Sequence, residues 1–289
     1  MDAETNVVLK TENGWAILPS SLKRSDHTPR FNLTFPTYLS TDIGAQYLAA
    51  NESGNGYEVP TRNLIERTLK RGDLFVDVGA HWGLFTLQAA THPAGEIEVI
   101  SFEPELVNAL ILSENVAKNK LLEVVTVIGA ACGDRYDLAP LTTNSTMGHS
   151  IRGVGLPSNA IKGPTKWVPV VTLDEALAHL QKRVERRVVL KIDAEGFEPQ
   201  IIAGARSLLR SGRVALIIWE WGAAFAEGRA HGALLDMVGF LSECGFQHFQ
   251  PPGHEADGLL SKLDLDTAYL GNVFSFAPQA GGGATVMPA

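Results

Sequence analysis

What this chain can fold into is set first by residues 74–83, Leu-Phe-Val-Asp-Val-Gly-Ala-His-Trp-Gly. An apolar run with β-branched residues suits a strand buried on both faces of a parallel sheet. The run breaks at Gly79, and a helical pattern follows through Leu84, Phe85, Leu87, Ala89 and Ala90. Strand, glycine turn and helix start together bring backbone N–H groups and the positive end of a helix dipole around a cavity. Such a turn suits a nucleotide-type ligand, and the residues around it decide which one.

Strands and helices alternate from there on. The pattern predicts a helix after Val59, with Pro60 at its start, leading into the strand of Asp77. Further strands are expected over Glu96–Phe102, Val124–Ile128, Val188–Ile192 and Val214–Trp219, with helices over Leu106–Ala117, Leu173–Val184, about 201–209 and 231–243. Thr172 is the expected cap of the second of these helices. Short strands near 246–249 and 272–277 are joined by a loop, which makes an antiparallel pair the expectation. Repeated strand–helix units imply an α/β, doubly wound, largely parallel sheet. Residues 1–56 read as an N-terminal extension with a hairpin, 57–278 as a single domain and 279–289 as a flexible tail. Residues 137–166, rich in Gly, Ser, Thr, Asn and Pro, read as a long loop of lid or binding type.

Composition narrows the partners. The chain has 289 residues, is 45% hydrophobic and carries a net charge of −8. An acidic chain without basic runs repels phosphate backbones, so a nucleic acid is not the expected partner. Cys132 and Cys244 make neither a disulfide framework nor a zinc set. The start, Met-Asp-Ala-Glu-Thr-Asn, has no basic and apolar signal pattern, and no apolar run approaches a membrane span. A cytoplasmic protein with no stable membrane insertion is expected; an oligomer is left open.

In doubly wound sheets the ligand sits at the carboxyl ends of the strands. Asp77, Glu103, Asp134, Asp193 with Glu195, and Glu220 stand at those ends. Asp77 occupies the place of the first glycine of a dinucleotide fingerprint. A carboxylate there would repel a pyrophosphate and suit an ammonium or sulfonium group. Glu103 lies 20 residues beyond Gly83, the spacing at which an acid accepts hydrogen bonds from ribose hydroxyls. A ribose with a cationic amino-acid tail and no phosphate describes S-adenosylmethionine.

The blocks Val76–Gly83, Phe102-Glu103-Pro104, Thr172-Leu173-Asp174 and Leu190–Glu198 (Leu-Lys-Ile-Asp-Ala-Glu-Gly-Phe-Glu) resemble the FkbM-type S-adenosylmethionine-dependent methyltransferases, over about 57–276. The resemblance implies a class I methyltransferase (Rossmann-like) fold, a seven-stranded sheet with an antiparallel last strand. It implies that the Asp77–Gly83 turn, with Gly79 and His81, holds the methionine part of the cofactor and Glu103 its ribose. Residues 131–134, including Ala131 and Asp134, would lie along the adenine. The acceptor it implies is a hydroxyl on a sugar (a glycan) or a polyketide-like small molecule.

A hydroxyl acceptor must lose its proton, and a nearby base assists by about 10²–10⁴-fold. Asp193 and Glu195 are the candidates, because their strand opens beside the sulfonium position; Asp193 doubles as a cofactor contact. Lys191 has the same strand parity as Asp193, which allows an ion pair. His149 is a rival base. Trp82, Trp219 and Trp221 could stack on a ligand, with core packing the expectation for the first two. Asp193 and Glu220 could hold Mg²⁺ against a substrate oxygen, but two oxygens fall short of a hard-cation set, and no metal ligands are assigned. An amine acceptor, a nicotinamide-dependent oxidoreductase and a non-catalytic partner subunit stay open as rivals.

Overall fold

The computed structural model describes residues 9–40, 45, 48–49, 57–143, 149–151, 165–180, 186–222, 231–251, 259–265 and 271–278. Strands β1 (Lys10–Glu12), β2 (Trp15–Pro19) and β3 (Asn32–Pro36) precede helix α1 (Val59–Thr68). The alternation then runs β4 (Leu74–Val78), α2 (Leu84–Ala90), β5 (Glu98–Phe102), α3 (Leu106–Lys118) and β6 (Val125–Ile128). Next come β7 (Ala131–Cys132), β8 (Asp137–Thr143), β9 (His149–Ile151), β10 (Thr165–Val171), α4 (Leu173–Leu180) and β11 (Val188–Ile192). The chain closes with α5 (Glu198–Ala203), α6 (Arg206–Arg210), β12 (Val214–Trp221), α7 (His231–Glu243), β13 (Gln247–Gln250), β14 (Ser261–Lys262) and β15 (Gly271–Phe276).

The main sheet has eight strands in the order β14-β13-β15-β12-β11-β4-β5-β6. The run β12-β11-β4-β5-β6 is parallel throughout, and β15 lies antiparallel to both β12 and β13. The antiparallel last strand matches the class I arrangement. The eighth strand is the two-residue β14, appended at the edge beside β13. All five residues of β4 and of β11 are buried, as a sheet covered on both faces requires. Val76, Leu190 and Ile217 pack on one face with α5, α6 and α7. Phe75, Val189 and Ile218 pack on the other with α1, α2 and α3.

Two expectations change. Residues 137–166 are not loop throughout: β8, β9 and the start of β10 fall there, in a second sheet of order β7-β10-β8-β9. Pro140 and Pro169 face Trp167 and Leu138 across the β8–β10 pair. Prolines inside strands, with Thr and Gly around them, hide the period-2 pattern that pairing nonetheless satisfies. The N-terminal segment holds more than a hairpin: β1, β2 and β3 form a three-stranded antiparallel sheet. Its apolar side, Leu33 and Phe35 included, packs on Trp82, Leu84 and Ile111. Thr34 N donates to Asn115 Oδ1 at 2.7 Å, and the Phe35 and Trp82 rings stack at 4.9 Å. Residues 181–184 of the expected helix and the tail 279–289 lie outside the described residues.

Candidate active site

From β4 the chain builds β5 and β6 on one side of the sheet and returns to β11 on the other. The connections leaving adjacent strands β4 and β11 therefore run to opposite sides, and the crevice between them is the switch point where doubly wound sheets bind ligands. A cavity of about 1160 Å³, counting its open mouth, lies there. The turn after β4 lines it with Gly79–Trp82, the end of β5 with Glu103 and Pro104, and the start of β7 with Ala131 and Cys132. Lys191, Asp193, Ala194 and Glu195 come from the end of β11 and Glu220 from β12, while Leu33, Leu48, Tyr57 and Glu58 close the N-terminal side.

The glycine turn is tightly wound. Gly79, His81 and Gly83 all have left-handed φ, at 76°, 51° and 92°. A Cβ on Gly79 would stand 1.8 Å from the Asp193 carbonyl oxygen, so β4 and β11 approach closely only because that residue has none. Histidine is among the side chains that tolerate this conformation, and the His81 ring stacks on Trp82 with centroids 4.7 Å apart. Four of the turn's N–H groups are spent within the fold. Gly79 N and Ala80 N both donate to Phe102 O, at 2.9 and 3.0 Å. Gly83 N donates to Ala80 O at 2.8 Å, and His81 N to Glu103 Oε2 at 2.8 Å. A phosphate would find these four donors occupied, which weighs against a dinucleotide.

Of the residues singled out from sequence, Gly79, His81, Glu103, Ala131, Asp193 and Glu195 lie together on the cavity wall. Asp77 does not. It is wholly buried beneath the turn, accepting from Thr86 Oγ1 at 2.7 Å; strand parity turns its side chain into the helix-covered face. Gly83 caps α2, where a Cβ would meet Leu112 Cδ1 at 2.3 Å. Asp134 pairs with Arg135 at 3.2 Å, away from the wall. His149 pairs through its backbone with Thr143, and its side chain lies outside the described residues. Trp82 lines the cavity while buried, its Nε1 donating to Asn108 Oδ1 at 2.9 Å. Trp219 is core, bonded to Ser275 Oγ at 2.9 Å.

Sequence reasoning missed Tyr57 and Glu58. Glu58 is buried with a left-handed φ of 48° and accepts from Asn272 Nδ2 at 2.6 Å. An acid just ahead of Pro60 carries no local signal of this role, because its partner is more than 200 residues away.

The wall is acidic. Among the described lining residues, Glu58, Glu103, Asp193, Glu195 and Glu220 face one ammonium, Lys191. Burial pushes the Glu103 carboxyl up to about 7 even though His81 N and Glu105 N bond to it. Burial, and then the Asp193 charge, raises Glu195 to about 7 at the cavity mouth. Glu220 is pushed up to about 10, by burial first and then by Asp193 and Glu195. Beside the wall, the wholly buried Glu198 is raised to about 8 by burial. Its Oε1 accepts from Ala194 N at 3.0 Å.

These shifts set a pH dependence of stability. Glu103 keeps its proton to about 7 when folded, against 4.5 for the ordinary carboxyl. The folded chain therefore binds more protons through that window, and stability falls as pH rises from 4.5 to 7. For Glu103 alone the loss is about 3 kcal/mol, at roughly 1.4 kcal/mol per pH unit of difference. Scanning calorimetry of the ligand-free protein should show a melting temperature that falls between pH 5 and pH 8. The fall should be smaller in Glu103→Gln.

Oxygens of Asp193, Glu195 and Glu220 all lie within 4.8 Å of one another. Three oxygens are too few for Mg²⁺ without water or substrate. Asp193 Oδ2 is already bonded to Lys191 Nζ at 3.1 Å, and that ammonium opposes a divalent ion beside it.

Strand order, antiparallel last strand and switch-point cavity together define a class I methyltransferase fold. The family described as "Methyltransferase FkbM domain" matches residues 77–248. This chain belongs to that family, whose members are S-adenosylmethionine-dependent methyltransferases. Among solved structures, the methyltransferase FkbM from Methylobacillus flagellatus is 17% identical with a TM-score of 0.47. The match covers 76% of this chain and 48% of that one, so the chain spans about half of its length. An O-methyltransferase from Bacillus cereus in complex with SAH is 13% identical over 75% of this chain and 78% of that one, with a TM-score of 0.45. No curated protein matches the chain. Among the described residues, no helix is long and apolar enough to cross a membrane.

Proposed function

We propose that this chain methylates a hydroxyl of a sugar or polyketide-like small molecule with S-adenosylmethionine as donor. The observation that carries the reading is the acidic cavity at the β4–β11 switch point, walled by Glu103 on one side and Asp193 on the other. The donor set fits the cofactor. A wall of five acidic side chains and one ammonium suits a ligand bearing positive charge, which draws their ionised forms, and Glu103, once ionised, suits a ribose diol that donates to it. When bound, S-adenosylmethionine supplies an electrophilic methyl on a sulfonium.

The residues of the chain do the rest. The 79–82 turn would support the methionine part, and Ala131 and Cys132 would flank the adenine. Asp193 would orient the acceptor hydroxyl and take its proton. Glu220, whose proton is held to about 10, would face the acceptor as a hydrogen-bond donor, and Glu195, raised to about 7, would stand beside Asp193 as the alternative base. Most of the acceleration would come from holding donor and acceptor at attack distance in a cavity that excludes water. The same wall would disfavour phosphorylated or carboxylated acceptors. An amine is the second reading, favoured by the cluster of Asp193, Glu195 and Glu220.

The test is incubation with methyl-labelled S-adenosylmethionine and a panel of neutral glycans, polyketide alcohols, their phosphorylated forms and small amines. Label should pass to neutral hydroxyl compounds and not to the phosphorylated ones. Transfer to amines alone would replace the hydroxyl reading with the second one.

A further inference from the structure

We propose that Lys191 is a positioning residue: its ion pair pins the Asp193 carboxylate on the cavity wall, turned to receive the acceptor's proton. The inference rests on the reading of Asp193 as the base. Lys191 is the fourth residue of β11 and is 2% exposed. A long cation buried in a central strand is costly unless it is paired. Here it is paired on two sides. Its Nζ bonds Asp193 Oδ2 at 3.1 Å on the cavity wall and lies 4.5 Å from the centre of the Phe85 ring of α2. In register with it on β4 stands Asp77, whose Oδ1 has no hydrogen-bond partner.

The ammonium thus sits between a carboxylate sealed beneath the turn and one that opens to the acceptor. The groups facing this pair are Asp77 from β4, Tyr57 and Glu58 ahead of α1, Glu220 from β12, and Glu195 and Glu198 from the segment after β11. All the charged ones are acids, and each, when ionised, raises the cost of a further negative charge on the wall. Among the described residues of the wall, Lys191 is the one lysine or arginine that opposes them. Burial alone would strip its proton; the charges of Asp193, Asp77 and Glu58 outweigh burial and keep it charged. Its hydrogen bond goes to Asp193, at 3.1 Å.

The experiment follows the Asp193 carboxyl carbon by NMR in protein labelled with ¹³C at aspartate Cγ, the resonance being identified by its loss in Asp193→Asn. An opposite charge at contact distance lowers a carboxyl by about 1–3 pH units. Lys191→Met should therefore raise the Asp193 midpoint by at least about one unit, while Lys191→Arg leaves it within about half a unit. Lys191→Met also strands Asp77, so the pair Asp77→Asn/Lys191→Met is compared with Asp77→Asn alone, and the same rise is expected. An Asp193 midpoint unchanged on losing the lysine in both backgrounds would overturn the inference. Failure of the base reading is seen separately, as methyl transfer that survives Asp193→Asn.

Discussion

Gly79→Ala should yield a chain that neither binds S-adenosylhomocysteine nor reaches wild-type stability. Two independent penalties meet at this position. The backbone φ of 76° is left-handed, which costs an L-residue roughly 1–2 kcal/mol. The new Cβ would stand 1.8 Å from the Asp193 carbonyl oxygen, and a backbone atom cannot swing aside as a side chain can. Relief requires β4 and β11 to part beside the cavity, where Asp193 N bonds Val78 O at 3.0 Å. Overpacking of this kind costs about 1–3 kcal/mol, so the total is about 2–5 kcal/mol. At roughly 2–4 °C per kcal/mol for a chain of this size, the melting temperature should fall by about 10 °C. Gly72→Ala is the control: its φ is 85°, but a Cβ there meets nothing within 4 Å. It should lose only the backbone share, and calorimetric scans of both variants isolate the clash.

Asp193→Asn should lower methyl transfer by about 10²–10⁴-fold, the usual worth of a positioned base, with S-adenosylhomocysteine affinity held within about twofold. Asparagine keeps the shape and can still accept from Lys191, so the wall persists while the proton acceptor is lost. Asp193 also raises the carboxyls of Glu195 and Glu220. Removing its charge should lower both, which shifts the pH profile of any residual activity. A parallel loss of cofactor affinity would instead make Asp193 a binding residue.

Much of this fold could be read from residue order because its central strands are covered on both faces. Leu74–Val78 and Val188–Ile192 are uniformly apolar apart from Asp77 and Lys191, and uniform burial writes itself into sequence. The small sheet of β7–β10 could not be read the same way. Its strands are interrupted by Pro140 and Pro169 and are specified by pairing across the chain. The N-terminal sheet is similar: Leu33 and Phe35 look ordinary until Trp82 and Asn115 are seen to receive them.

The site was legible in its cast and less so in its roles. Glu103, Asp193 and Glu195 stand on the wall where strand ends should put them. Asp77 drew attention as a charge inside a glycine turn, yet strand parity turns it beneath that turn, where it bonds Thr86 and faces Lys191. From there its charge acts on two residues of the wall, Lys191 and Glu103. Likewise, no sequence signal tells that Phe102 O accepts both Gly79 N and Ala80 N, because that depends on how β5 ends beside β4.

Calorimetric titration of the protein with S-adenosylhomocysteine and with NAD, repeated on Glu103→Ala, asks most directly what the cavity holds. S-adenosylhomocysteine should bind and NAD should not. Glu103→Ala should weaken binding by about 10–100-fold, the worth of hydrogen bonds to a charged group. Binding of NAD alone, or S-adenosylhomocysteine affinity indifferent to Glu103, would overturn the assignment of this cavity.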